Sequence, residues 1–119
     1  MFLLEDINEL KGLSFSDNGY HMMTFSNLEI KVWDLRKSSV LISKEFENSI
    51  NKASYDFSGG LICIALDNNI SLLNVKDGSV NFCDLNQNFN NYSPMDFKIF
   101  SKNEAMVLTK NGILIKKEN

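Results

Sequence analysis

Short apolar runs separated by turn-forming residues recur along this chain. The first series reads Leu10 to Phe15, the turn Ser16-Asp17-Asn18-Gly19, Tyr20 to Phe25, the turn Ser26-Asn27-Leu28, then Ile30 to Leu35. The runs are rich in β-branched and aromatic residues, and Asn, Asp and Gly supply the positive-φ positions of tight turns. Turn clusters cut every run below the roughly 10–12 residues that a helix needs, so the pattern predicts strands. A fourth run follows each series: Val40-Leu41-Ile42 in the first and Val80-Asn81-Phe82-Cys83 in the second.

The series repeats. Leu13-Ser14-Phe15-Ser16-Asp17-Asn18-Gly19-Tyr20 superimposes on Ala53-Ser54-Tyr55-Asp56-Phe57-Ser58-Gly59-Gly60 at an offset of 40 without a gap. The register continues through Met22-Met23 over Ile62-Cys63, Asn27 over Asp67, and Ile30-Lys31-Val32-Trp33 over Ile70-Ser71-Leu72-Leu73. A looser third copy runs through Met95 to Phe100, Ala105 to Leu108 and Gly112 to Ile115. Four strands recurring at about 40–45 residues is the period of a β-propeller blade. Met22-Met23 and Ile62-Cys63-Ile64-Ala65-Leu66 read as buried on both faces, as in a sheet packed between neighbours. Pro94 opens the first strand of the third copy, where the missing N–H is tolerated. The polar stretch from Asn86 to Tyr92, with Phe89 and Tyr92, reads as the longest loop.

Within this frame, Leu13 to Tyr20 followed by Ile30-Lys31-Val32-Trp33-Asp34-Leu35-Arg36 resembles the WD-repeat signature, a Ser-Phe-Ser strand and turn before a strand ending in Trp-Asp. The resemblance implies an all-β fold: a partial WD-type propeller of about three four-stranded antiparallel blades, near residues 9–46, 49–85 and 93–117, the last incomplete. Departures from the signature concern a buried tetrad of His, Ser/Thr, Trp and Asp. Asp6 or a neighbour stands in the region of the His. The turn Asp is Asn27, Asp67 and about Asn111 in successive copies, and the Trp is Trp33, then Leu73, then an aliphatic residue. The chain is also similar to the C-terminal blades of the U-box pre-mRNA splicing factors of the nineteen complex, in their divergent yeast-like form. Phe15 to Tyr20, Asp34-Leu35-Arg36-Lys37 and the ending from Met95 to Gly112 carry that likeness.

That resemblance implies a non-catalytic protein-interaction scaffold in the nucleus, or otherwise in the cytoplasm. It also implies spliceosome-associated proteins as partners and a parent chain able to act as a U-box ubiquitin ligase. No U-box-like segment is recognised in these residues. A generic WD-repeat adaptor in another intracellular complex is the alternative. About three blades do not close a ring, so the remaining blades or a partner chain are expected to complete it. By position in the repeat, loops before first strands and between second and third strands share one rim. Glu9, Lys11, Ser26, Asn51, Leu66 and Lys110 fall there and are the candidate protein-binding residues.

Composition narrows the alternatives. The 119 residues are 44% hydrophobic and 23% charged with a net charge of −3, enough apolar material for a core. No basic patch suggests direct nucleic-acid binding or a membrane surface, and Lys116-Lys117 reads as a solvated end. The N-terminal run Met1 to Leu4 is too short for a signal peptide, and no run approaches a membrane span. Cys63 and Cys83 sit in strand-like runs without metal-ligand spacing and read as core residues. His21, the single histidine, could serve a hydrolase with nearby Asp17 only if an orienting carboxylate and a nucleophile converged on it; a structural role is the simpler reading. Glu5, Asp6, Glu9, Glu45 and Glu47 read as loop carboxylates. Asp67-Asn68-Asn69 and Gly59-Gly60 read as turns, lacking a calcium-loop or phosphate-loop context. No cofactor is expected. Trp33 reads as packed within its blade.

Overall fold

The computed structural model describes residues 9–82, 93–109 and 112–117. Among these residues, eleven strands form three antiparallel sheets. The first holds β1 (Gly12–Phe15), β2 (His21–Phe25), β3 (Glu29–Asp34) and β4 (Ser39–Glu45), in that spatial order. The second holds β5 (Ile50–Tyr55), β6 (Leu61–Leu66), β7 (Ile70–Asn74) and β8 (Val80–Phe82). The third holds β9 (Pro94–Ser101), β10 (Glu104–Thr109) and β11 (Gly112–Lys117). The fold is thus all-β, with blades of four, four and three strands that do not close a ring.

The turns explain the shared register. Gly19 and Gly59 adopt φ of 75° and 78°, a region that costs any residue with a Cβ. Each donates its N–H three residues back, to Ser16 at 3.0 Å and to Asp56 at 3.2 Å. Side chains lock the same turns. Asn18 Oδ1 accepts the Tyr20 N–H at 2.8 Å, and Ser58 Oγ accepts the Gly60 N–H at 3.1 Å. Asp34, the residue after the tryptophan, accepts the Arg36 N–H at 2.9 Å, as Asn74 accepts that of Lys76 at 2.9 Å. These Asx turns give the first two blades the same exit from their third strands.

The third copy is looser because its first hairpin is tighter. Only Lys102 and Asn103 separate β9 from β10, where Asp56 to Gly60 separate β5 from β6. Register shifts at Glu104/Ala105 and Leu108/Thr109 absorb the change. Lys116 pairs with Ala105 as Leu73 pairs with Ile62 and Trp33 with Met22. The third tryptophan position therefore holds Lys116 rather than the expected aliphatic residue, since β11 keeps the spacing from β10 that β3 and β7 keep from β2 and β6.

Two apolar seams join the sheets. In β6 alternate side chains go to opposite neighbours, as strand geometry requires. Ile62, Ile64 and Leu66 pack into a cluster with Met23, Phe25, Ile30 and Val32 of the first sheet. Cys63 and Ala65 pack with Ile70, Phe97 and Val107 in the second cluster. This two-sided burial is what the unbroken apolar run of β6 predicted. Gly12 is needed for close packing: a Cβ there would lie 2.6 Å from the Phe25 ring. The second blade pairs Lys52 with Ala65 at the same place.

Candidate docking rim

Among the described residues, the tetrad expected of a WD repeat shows its Trp and Ser/Thr members joined. Trp33 Nε1 donates to Thr24 Oγ1 at 2.9 Å, and both residues are buried. In the second blade the corresponding positions are Ile64 and Leu73, each fully buried. An apolar pair there replaces a hydrogen-bonded pair, so no polar group is left stranded. The lysine ammonium of Lys31 lies 5.9 Å from the Trp33 ring centroid, and Arg36 stacks at 4.3 Å over Tyr20. Asp6 and Asn111 lie outside the described residues, as do Cys83, Phe89 and Tyr92.

At the rim, the side chains of Lys11 and Asn51 play the same part in successive blades. Lys11 Nζ donates to the carbonyl of Ile50 in the second blade. Asn51 Nδ2 donates to the carbonyl of Pro94 in the third at 2.7 Å, and to Ser93 Oγ at 3.2 Å. Ile50 pairs with Leu66 and Pro94 with Thr109, so the two carbonyls occupy corresponding places. Sequence position put Lys11 and Asn51 on the rim; it gave no sign that both clasp the next blade. A main-chain bond from Ile50 N–H to the Asn27 carbonyl, 2.7 Å, adds to the first junction.

Two hollows open beside these clasps. One, of about 320 Å³, is lined by Glu9, Ser26 and Leu28 among others, and by Glu45 and Phe46. The second, of about 210 Å³, lies across the junction and is lined by Leu66, Asn69, Ser71 and Val80, again with Glu45 and Phe46. Glu9, Ser26 and Leu66 are thereby brought to one continuous surface, while Lys11 and Asn51 are spent on the clasps. Ser26 is itself buried and leans on the Glu29 carbonyl at 3.5 Å. Lys110 lies outside the described residues. The segment Glu45-Phe46-Glu47-Asn48, which leads from the outer strand of one blade to the inner strand of the next, contributes four lining residues that the positional argument missed. Its signal was in the sequence: Phe46 is an aromatic outside the repeat's strands, flanked by two carboxylates.

His21 opens β2, and Ser16 engages it through the main chain. Ser16 N–H donates to the His21 carbonyl at 3.0 Å, and the His21 N–H reaches Ser16 Oγ at 3.3 Å. That is hairpin closure, with the serine hydroxyl donating to Asn18 Oδ1 at 2.6 Å and lying against the His21 main chain. Among the described residues no group of three or more His, Cys, Asp or Glu is placed to hold a metal ion. None of their helices is long and apolar enough to cross a membrane.

Repeated four-stranded antiparallel sheets, joined face to face around inner strands, define a WD40-type β-propeller fold. Solved structures agree. The C-terminal WD40 domain of Sif2 superimposes with a TM-score of 0.72 at 10% identity, over 97% of this chain and 36% of that one. The β-propeller domain of Cps50 (Swd1) from Myceliophteria thermophila gives 0.74 at 12% identity, over 91% of this chain and 38% of that one. Among curated proteins, pre-mRNA-processing factor 19 of Dictyostelium discoideum is 30% identical over 70 residues, 54% of this chain and 14% of that protein. The chain is thus similar to WD40 propellers in fold and to pre-mRNA-processing factor 19 over part of its sequence, and spans about a seventh of that protein's length. No family model matches the sequence. WD40 propellers are, as a class, scaffolds that bind other proteins.

Proposed function

We propose that this chain is a docking platform for proteins within a splicing-associated assembly, and that it performs no catalysis itself. The observation that carries the reading is the rim: two adjoining hollows, one on the first blade lined by Glu9 and Ser26, the other across the first junction lined by Leu66, beside blades that Lys11 and Asn51 clasp in succession. The likeness to pre-mRNA-processing factor 19 supports a nuclear, spliceosome-associated role and a parent protein with ubiquitin-ligase activity. Unsatisfied sheet faces support a need for further blades or a partner chain. Leu13 and Phe15 on the first sheet are each 57% exposed, and Ile113 on the third is 56% exposed. Their counterparts Ala53 and Tyr55 are buried against a neighbouring blade.

Affinity capture of the tagged full-length gene product, with mass spectrometry, tests the assignment. Enrichment of spliceosome-associated subunits, lost when Lys11 and Asn51 are both changed to Ala, is the expected result. Capture of a different intracellular complex would replace the splicing assignment with that of a general adaptor of the same fold.

A further inference from the structure

We propose that the hollow at the junction of the first two blades is a binding pocket for an arginine side chain of a partner protein. This deepens the docking reading and rests on it. Ser71 is 1% exposed, yet its Oγ has no hydrogen-bond partner among the described residues, and the same holds for the buried Oδ1 of Asn69. Both residues line the hollow. Buried polar atoms cost stability unless a partner satisfies them, so two orphaned oxygens on residues in the wall of one hollow call for a partner that can donate to them. At the same hollow stand the exposed Glu45 and Glu47. Four carboxylates line the two adjoining hollows, and no lysine or arginine lines either. Among the described residues, Glu29 of the four is the one engaged by a lysine, Lys31 at 3.6 Å.

The walls fit the rest of the side chain. Phe46, Leu66 and Val80 offer apolar surface for a methylene stem. The volume of about 210 Å³ is below the ~300–1,000 Å³ of pockets for drug-sized ligands, and suits one long side chain. A guanidinium carries five N–H donors in a planar fork, and can serve an amide oxygen, a hydroxyl and a carboxylate at once. An ammonium has three donors and holds its water more tightly, so lysine is the weaker occupant.

The test is a titration of the ¹⁵N-labelled chain with the blocked tripeptide Gly-Arg-Gly, followed by amide NMR. Its comparators are the same peptide with lysine and with citrulline, the uncharged isostere of arginine. Expected are saturable shifts of the Asn69 side-chain amide and of the Ser71 and Phe46 backbone amides, with a dissociation constant in the millimolar range. Lysine binds several-fold weaker, and citrulline at least tenfold weaker. Glu45→Gln and Glu47→Gln, both at exposed positions that leave the fold intact, weaken the arginine peptide at least threefold each. Ser71→Val weakens it further without loss of amide dispersion. A dispersed spectrum with no saturable shift, or equal response to citrulline, overturns the pocket. If capture still recovers spliceosomal subunits in that case, the docking reading stands without it; if the peptide binds and capture fails, the pocket stands and the splicing assignment falls.

Discussion

The two junctions between blades solve the same problem by different means. The first buries eleven residues in one cluster, seven of them aliphatic or aromatic side chains of the second blade. Lys11 to Ile50 and Ile50 to Asn27 are its cross-blade hydrogen bonds. Among the described residues, the second buries five. It is laced more heavily: Asn51 reaches Ser93 and Pro94, Phe57 N–H reaches the Ile99 carbonyl at 3.0 Å, and Lys98 reaches the Tyr55 carbonyl. Apolar burial is non-directional and scales with area, whereas hydrogen bonds fix orientation but contribute less each. A thin seam therefore depends on a few polar contacts and on whichever large side chain fills it. Here that side chain is Phe97, 1% exposed.

The comparison breaks most visibly at that residue. Phe97→Ala removes the largest side chain of the smaller seam and is expected to cost about 4 kcal/mol. Ile64→Ala, in the larger seam, is expected to cost about 3 kcal/mol. The two losses should differ in reach more than in size. Native-state hydrogen exchange should show β9 and β10 losing protection in Phe97→Ala while β2 and β6 keep theirs, because eleven residues still hold the first seam. Ile64→Ala should lower protection in both of the first two blades together. Uniform loss in both variants would mean that the three blades unfold as one unit.

Smaller and more local is the loss at the clasp. Asn51→Ala leaves the Pro94 carbonyl without its side-chain donor and is expected to cost about 2 kcal/mol, read from the urea midpoint. Lys11→Met keeps the apolar stem and removes one bond to the Ile50 carbonyl beside a thick seam, so it should cost about 1 kcal/mol or less. Reversed magnitudes would show that the polar contacts matter independently of the apolar area behind them.

Much of this architecture was legible in the sequence, for identifiable reasons. The offset of 40 between Leu13 and Ala53 carried the repeat because turns of fixed length, ending in Gly19 and Gly59, keep two blades in step. The unbroken apolar run of β6 revealed a sheet covered on both faces. What stayed hidden involves contacts between residues distant in sequence. Lys11 and Asn51 look like ordinary exposed polar residues until the next blade's carbonyl is placed beside them. Ser71 reads as the polar half of an alternating strand, and only the fold shows it buried without a partner among the described residues. The third copy's register was blurred because a two-residue hairpin between β9 and β10 changes the spacing that the other two share. On the rim, repeat position pointed to Ser26 and Leu66, which line the hollows, but not to the Glu45 to Asn48 connection that joins them.

Blade chemistry offers a third, finer contrast. Thr24→Val preserves shape but leaves Trp33 Nε1–H buried without an acceptor, at an expected cost of about 1.5 kcal/mol. The Trp33 fluorescence should also shift, since its indole N–H loses its partner. At the matching site of the second blade, Ile64→Val leaves no polar group stranded and should cost about 1 kcal/mol. A Thr24→Val loss no larger than that would mean the indole finds another acceptor, and the half tetrad would then be packing alone.

The gentlest change acts on a residue that belongs to both junctions. Tyr55 packs its ring into the first seam while its carbonyl accepts Lys98 across the second. Its hydroxyl is buried without a partner among the described residues, and burial pushes its pKa from 10.0 up to about 12. The fold therefore holds the phenol neutral where the unfolded chain would ionise it. That contribution is intact below pH 10 and is lost as pH rises from 10 towards 12, because the unfolded state then binds fewer protons than the native state. Tyr55→Phe keeps the ring and removes the stranded hydroxyl, so at pH 7 it should raise stability by about 1 kcal/mol. Urea midpoints at pH 7 and pH 11 test both parts. The variant should lead at neutral pH, and its lead should widen at pH 11, since phenylalanine has no proton to lose. A variant less stable than its parent at pH 7 would show that the hydroxyl contributes through a hydrogen bond, and the apolar account of the first seam would need a polar member.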